Sequence, residues 1–170
     1  MLMRVLGIDP GLATVGIGII DSDNSGEYEL VDWFTIETPK GLSLPSRLLE
    51  IQSDLLEVIK KYKPDLAAVE KLYFEVNRKT AIDVAQARGV IIVNLEASGI
   101  PIIEPTPLEL KSTITGDGHA DKKQMQDMIE ITLGEKCTSD DAADALGLAI
   151  YGVISHGSIG LLADVLPAAS

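Results

Sequence analysis

The fold class is decided by Val5-Leu6-Gly7-Ile8-Asp9-Pro10-Gly11 and the stretch that follows it, Thr14-Val15-Gly16-Ile17-Gly18-Ile19. The first is a short apolar run that stops at a proline, which has no N–H to give to a sheet ladder. In the second, Val15, Ile17 and Ile19 alternate with Gly16 and Gly18, the period of a strand. Asp23-Asn24-Ser25-Gly26 supplies the residues of a hairpin turn, and residues 28–37, which include Trp33, read as a third strand. The chain therefore opens as an antiparallel meander.

Beyond it the period changes. After a loop containing Pro39, Gly41 and Pro45, the residues Leu48, Leu49, Leu55, Leu56, Ile59 and Tyr62 follow helical spacing. Lys60, Lys61 and Lys63 suit the negative end of that helix, and Pro64 ends it. Leu66 to Val69 is a short apolar strand that delivers Glu70 at its end. Thr80 to Ala97 reads as a helix with Ile82, Ala85, Val90, Val93 and Ala97 on one side, and Ile100 to Ile103 as another strand. Thr106-Pro107-Leu108-Glu109 combines a cap, a proline at the first helical position and a glutamate at the third, so a helix starts there and runs to Gly116-Asp117-Gly118. Asp121 caps a further helix with Met125, Met128, Ile129 and Leu133 inward, and these methionines read as core. Ser139 or Asp140 caps a last helix that is expected to end near Ile154. A meander followed by strand, helix, strand predicts an α/β domain with a mixed five-stranded sheet flanked by helices. One domain is expected over residues 1–155. The tail, 156–170, is compatible with disorder and equally with a short docked helix through Leu161, Leu162, Val165 and Leu166.

At 170 residues, 46% hydrophobic and 24% charged, the chain can bury a core of its own. Its 14 basic and 26 acidic residues give a formal charge of −12, which excludes a protein that coats nucleic acid or anionic membrane by bulk charge. The excess is uneven. Residues 71–123 balance 7 basic against 7 acidic groups, and hold Lys71, Arg78, Lys79, Arg88, Lys111, Lys122 and Lys123. The lone Cys137 can form no internal disulfide and reads as a bystander. The start MLMRVLGID lacks a signal-peptide pattern, and the apolar stretch 142–154 is too short for a membrane span, so a cytoplasmic protein is expected.

The chemistry points to acidic residues. Asp9 and Glu70 end strands, while Asp141 and Asp144 fall three apart on one face at the start of a helix. Singly, a strand-end carboxylate is ordinarily a turn or cap residue, and capping accounts for Asp140. It does not account for Asp144, which interrupts Ala142-Ala143-Asp144-Ala145-Leu146, a run that otherwise reads as buried and where a carboxylate needs a partner or an ion. Carboxylates alone suit Mg²⁺ or Mn²⁺, and a pair of such ions serves phosphodiester hydrolysis.

Together with these residues, Gly7-Ile8-Asp9-Pro10-Gly11, Glu70 followed by Tyr73-Phe74, Ala85-Gln86-Ala87-Arg88-Gly89, and Lys111 to Gly116 with Ala120-Asp121-Lys122 carry a resemblance. In this order and spacing, from about Met3 to Ile154, they resemble the RuvC family of Holliday junction resolvases. The resemblance implies a ribonuclease H-like fold, a homodimer, and divalent metal used to make paired, symmetric nicks in four-way DNA junctions. It implies that Asp9, Glu70, Asp141 and Asp144 are ligands of two Mg²⁺ ions, for which Mn²⁺ can substitute, and that Lys111 and Lys122 stand beside the scissile phosphate. It places Tyr73 or Phe74 at the junction centre, where a ring can stack on an unpaired base. Gln86 and Arg88 fall on a helix near both dimer interface and DNA. Arg78, Lys79 and Lys123 are further candidate DNA contacts, and a branch-migration motor is a candidate partner. His119 and Asp117 have no matching role and read as a solvated loop.

Two other readings compete. A non-catalytic branched-DNA-binding module would be expected to lack a ligand, and all four are present. Gly-Ile-Asp-Pro-Gly after a strand also resembles the first phosphate loop of actin-like kinases, but those need two lobes and a second loop, for which 170 residues leave no room. A junction nuclease of charge −12 should bind DNA locally, by shape, with help from metal and with strong sensitivity to salt.

Overall fold

The structure, a computed structural model, describes residues 2–23, 26–72 and 78–165, with backbone alone for 78–80 and 158–165. Its elements are β1 (Met3–Asp9), β2 (Thr14–Ser22), β3 (Tyr28–Glu37), α1 (Leu44–Tyr62), β4 (Leu66–Val69), α2 (Arg78–Ala97), β5 (Ile102–Ile103), α3 (Pro107–Thr115), α4 (Lys122–Leu133) and α5 (Asp140–Val165). The strands form one mixed sheet in the order β3-β2-β1-β4-β5, with the meander antiparallel and β1, β4 and β5 parallel. The five strands and mixed sheet expected from the sequence are present.

Strand alternation sorts the core into two layers. Leu6, Ile8, Ile17 and Ile19 point to one face, where Ile51, Leu55 and Val58 of α1 and Ala87, Ile91 and Leu95 of α2 cover them. Val5, Ile20, Leu66 and Ala68 point to the other, against α3, α4 and α5. Each fully buried Leu or Ile of this kind contributes roughly 1.5–3 kcal/mol. The inward faces of α1 and α2 differ from the expected ones. Leu49 and Leu56 are exposed on α1, and Ile82 and Val93 on α2, while Ile51, Val58, Ile91 and Leu95 take the core. Both helices carry more apolar residues than one stripe needs, so spacing alone admits two faces. Helix α1 also begins earlier than expected, with Ser43 as cap and Pro45 inside the first turn, where the missing N–H costs nothing. Strand β5 is shorter, because Pro101 has no N–H and joins β4 only as acceptor, from the Ala67 N–H at 2.9 Å. The boundary near Ile154 is corrected: α5 runs on to Val165. Leu166, like Asn24 and Ser25 of the expected turn, lies outside the described residues.

The sheet and α5 meet where side chains are absent. A Cβ on Gly7 would stand 1.8 Å from the carbonyl oxygen of Ala145, and one on Gly16 2.0 Å from that of Asp141. Only glycine permits this approach, and the facing residues Ala142, Ala145 and Ala149 are themselves small and buried. Helix α5 thus lies directly on β1 and β2.

Candidate active site

Register brings the first two carboxylates together. Ile8 pairs with Val69 in the parallel β1–β4 ladder, so Asp9 and Glu70 are the next residues at the same end of adjacent strands. Alternation turns both toward the face that α5 covers, since Val5 and Ala68 already point there. Asp9 is opposite Gly16 in β2, and that glycine is where the Asp141 backbone comes down. One turn further along α5, Asp144 faces a cleft of about 220 Å³ whose polar walls are Asp9, Glu70, Asp144, Lys111 and Lys122. Leu110, Met125 and Leu148 make its floor, so Met125 is both core and floor.

The two lysines are aimed by their helices. The Thr106–Glu109 capping box fixes the start of α3, and burial of Leu110 and Ile114 leaves Lys111 on the cleft side. Lys122 is the first residue of α4, behind a second box between Asp121 and Gln124. Its Nζ is 2.9 Å from Oδ2 of Asp140, whose other oxygen accepts from Gln126 Nε2 at 2.8 Å. Asp140 is therefore not the cap of α5. Ser139 holds that place, its Oγ accepting from the Ala142 N–H at 3.4 Å.

Electrostatics bind the group together. The Asp9 carboxyl is pushed up from 3.8 to about 8, first by burial and then by the charges of Asp144, Glu70 and Asp141, with Lys122 opposing. Burial, then Asp144, raises Glu70 against the pull of Lys111. Burial also raises Asp144, with Lys122 and Lys111 opposing and Asp141 and Asp140 adding to the rise. Among the described residues no three His, Cys, Asp or Glu side chains converge tightly enough to enclose an ion as they stand. Bare carboxylates repel, and the same repulsion is the observation that fits a divalent cation: an all-oxygen donor set, half-buried, that cannot ionise fully without added positive charge.

The remaining expected residues divide. Asp141 faces a neighbouring cleft, although its charge reaches Asp9 and Asp144. Arg88 donates from Nε to the Glu70 carbonyl at 2.9 Å and pairs through Nη2 with Glu104, so it holds the backbone that presents Glu70. Lys123 is exposed and outside the cleft lining. Tyr73 and Phe74 lie outside the described residues, as do the side chains of Arg78 and Lys79. His119 is exposed, and Cys137 donates its Sγ–H to the Ser139 carbonyl at 3.2 Å. Sequence reasoning missed Arg47, which lines the cleft of Asp141. Its only sequence signal is a lone arginine in the first turn of an amphipathic helix.

A family model described as crossover junction endodeoxyribonuclease RuvC matches residues 5–152. A relative of that name from Caldicellulosiruptor saccharolyticus is 46% identical over 159 residues, which are 92% of this chain and 96% of the relative. Another from Chloroflexus aurantiacus is 48% identical over 150 residues, 87% of this chain and 91% of the relative. Among solved structures, Thermus thermophilus RuvC in complex with Holliday junction substrate superposes with a TM-score of 0.85 at 28% identity, covering 93% of this chain and 96% of that one. The yeast mitochondrial Holliday junction resolvase Ydc2, at 15% identity and a TM-score of 0.63, shares the fold. The sheet order and the helix on its glycine face are the expected ribonuclease H-like arrangement. On the match across residues 5–152 and relatives alike over nine-tenths of its length, this chain belongs to the RuvC family of crossover junction endodeoxyribonucleases.

Proposed function

We propose that this chain resolves four-way DNA junctions by paired, symmetric phosphodiester hydrolysis, as a divalent-metal-dependent endonuclease acting as a homodimer. The observation that carries the reading is the single cleft in which three half-buried carboxylates, Asp9, Glu70 and Asp144, face two lysines, with Asp9 held protonated up to about pH 8. A carboxylate cluster this costly to ionise is built for cations, and lysines beside it are built for phosphate.

Asp9, Glu70, Asp141 and Asp144 would hold the metal, with two Mg²⁺ per site and Mn²⁺ as a substitute. Bound there, the ions supply Lewis acidity toward water and the phosphate oxygens. The rest falls to the chain. Lys111 and Lys122 donate to the non-bridging oxygens of the cut phosphate and steady the charge that grows on them. The half-buried walls limit water at the reacting atoms, and the helix caps of α3 and α4 keep both ammonium groups in place. Tyr73, Phe74, Arg78, Lys79 and Lys123 would contact DNA beyond the cleft, whereas Arg88, committed to the Glu70 carbonyl and to Glu104, would position Glu70. The nuclease domain, expected over 1–155, includes α5, which carries on to Val165; it works in the cytoplasm and has a branch-migration motor as partner. Among the described residues no helix is long and apolar enough to cross a membrane.

The test uses labelled four-way junction, duplex and flap DNA with Mg²⁺ or with EDTA, and maps the nicks. Symmetric nicks in the junction alone, and with metal alone, are expected. Tight junction binding with no cleavage under any divalent ion would favour the alternative, a branched-DNA-binding module that retains the fold.

A further inference from the structure

The cleft beside Asp141 is distinct from the one that holds the two lysines. It has a volume of about 320 Å³ and is bounded by the loop Gly11 to Thr14, by Arg47, by Asp83 and Val84 of α2, and by Asp141. Arg47 enters it from the first turn of α1 on a fixed mount. Its Nε donates to Thr38 Oγ1 at 2.8 Å. Thr38 is buried, 6% exposed, and is itself tied to the loop that follows Asp9: its Oγ1 donates to the Leu12 carbonyl at 2.6 Å, and its N–H to the Ala13 carbonyl at 3.0 Å. The guanidinium is thus oriented by one nitrogen while both Nη groups keep their donors. Among the described residues neither Nη donates to an acceptor, and no carboxylate comes within ion-pair distance, although Asp83 and Asp141 share the cleft.

An arginine that is half-buried, held by its Nε and open at its fork is shaped for an oxyanion approached from outside, whose two oxygens can each take a donor from the fork. Resting on the nuclease reading above, we propose that Arg47 binds a backbone phosphate of the DNA strand being cut, at a position next to the scissile one. Lys111 and Lys122 line the cleft of Asp9, Glu70 and Asp144 while Arg47 lines that of Asp141, so a strand crossing both clefts would be held at more than the reacting phosphodiester. Such a hold fixes the register of the strand, and a charge of −12 makes each such contact count.

Junction affinity is measured in EDTA, which keeps the DNA uncut, across roughly 50 to 300 mM salt for the wild type, Arg47→Gln and Arg47→Met. Loss of one phosphate contact is expected to weaken binding about tenfold and to flatten the plot of log Kd against log salt by about one. The result is read on whichever variant melts with the wild type. An unchanged slope, whether or not affinity falls, overturns the proposal, since a purely structural arginine neutralises no phosphate. If both variants melt far below the wild type, Arg47 is a clamp for the Leu12–Thr38 loop and the proposal falls as well. A wild type that neither binds nor cuts junctions removes the nuclease reading and this one with it, whereas a wild type that cuts, beside variants of unchanged slope, removes this one alone.

Discussion

Lys122 Nζ stands 2.9 Å from Oδ2 of Asp140, so the ion pair of this lysine at the cleft is with the neighbour of Asp141, while Asp144 and Asp141 reach it through charge at longer range. Asp140 raises the Lys122 pKa chiefly through this hydrogen bond. The partners are 55% and 65% exposed, and an ion pair that open to water adds little to stability. On the proposed reading its consequence is for the substrate, because the carboxylate would compete with DNA phosphate for the same ammonium. Asp140→Asn is expected to leave Tm within about 2 °C and to tighten junction binding about two- to threefold in low salt. Lys122→Ala, in contrast, should lower kcat roughly 100-fold. Melting curves, junction titrations and single-turnover cleavage check the pair, and an Asp140→Asn protein that binds more weakly would show that Asp140 positions the lysine and does not compete for it.

The Asp9 carboxyl makes the stability of the metal-free protein depend on pH. In the folded chain it keeps its proton up to about pH 8, whereas its ordinary value is 3.8, so folding takes up a proton between those limits. The stabilisation is complete below about pH 4 and is lost as pH rises through about 8. In EDTA, Tm should therefore fall between pH 5 and 8.5, and Asp9→Asn should fall less and melt roughly 5 °C above the wild type at the upper end. Mg²⁺ should restore the wild type at pH 8 and leave Asp9→Asn almost unmoved. Calorimetry with and without metal decides it: equal pH slopes for the two proteins would mean that Asp9 ionises freely.

Part of this site is legible in the order of residues alone. The Thr106–Glu109 box, the turn at Gly116 and the period-two run from Val15 to Ile19 are local, and local chemistry fixes them. Asp144 stands out because a carboxylate within alanines and leucines has no cheap explanation. The rest depends on register and on face. Nothing in the sequence of β1 says that Ile8 will pair with Val69, and that pairing is what sets Glu70 beside Asp9. Helix α5 is apolar almost all round, so periodicity cannot orient it, and the glycines of β1 and β2 do so instead. Arg47 acts through Thr38, 9 residues away, and Arg88 through Glu70, 18 residues away, and neither link follows from spacing.

Gly16→Ala tests the seat of α5. The added Cβ would lie 2.0 Å from the Asp141 carbonyl oxygen and 2.6 Å from its carbon, both backbone atoms that no rotamer change can move. The helix must lift, taking Asp141 away from Asp9. We expect a loss of about 3 kcal/mol or more, read as a fall of roughly 10 °C in Tm, with junction cleavage lost even below the new midpoint. Gly157→Ala on the same helix, where an added Cβ meets nothing within 4 Å, should leave both unchanged and serves as the control.

Arg88 offers the sharpest separation of positioning from binding. Its Nε holds the Glu70 carbonyl at 2.9 Å and its Nη2 is committed to Glu104, so its side chain, 17% exposed, has little left to give to DNA. Arg88→Lys keeps the charge but loses the fork that spans both partners. Glu70 sits just beyond the last residue of β4, with its neighbour Lys71 tied through N–H to the Pro105 carbonyl at 2.8 Å, so loss of the arginine bond frees the carbonyl of one residue and not the strand. Cleavage by Arg88→Lys should fall about 10- to 100-fold while junction affinity stays within about threefold, because a small displacement of one proposed metal ligand would affect the transition state far more than the ground state. The salt dependence of binding should match the wild type. A variant that cuts normally but binds with a flatter salt slope would place Arg88 on the DNA instead.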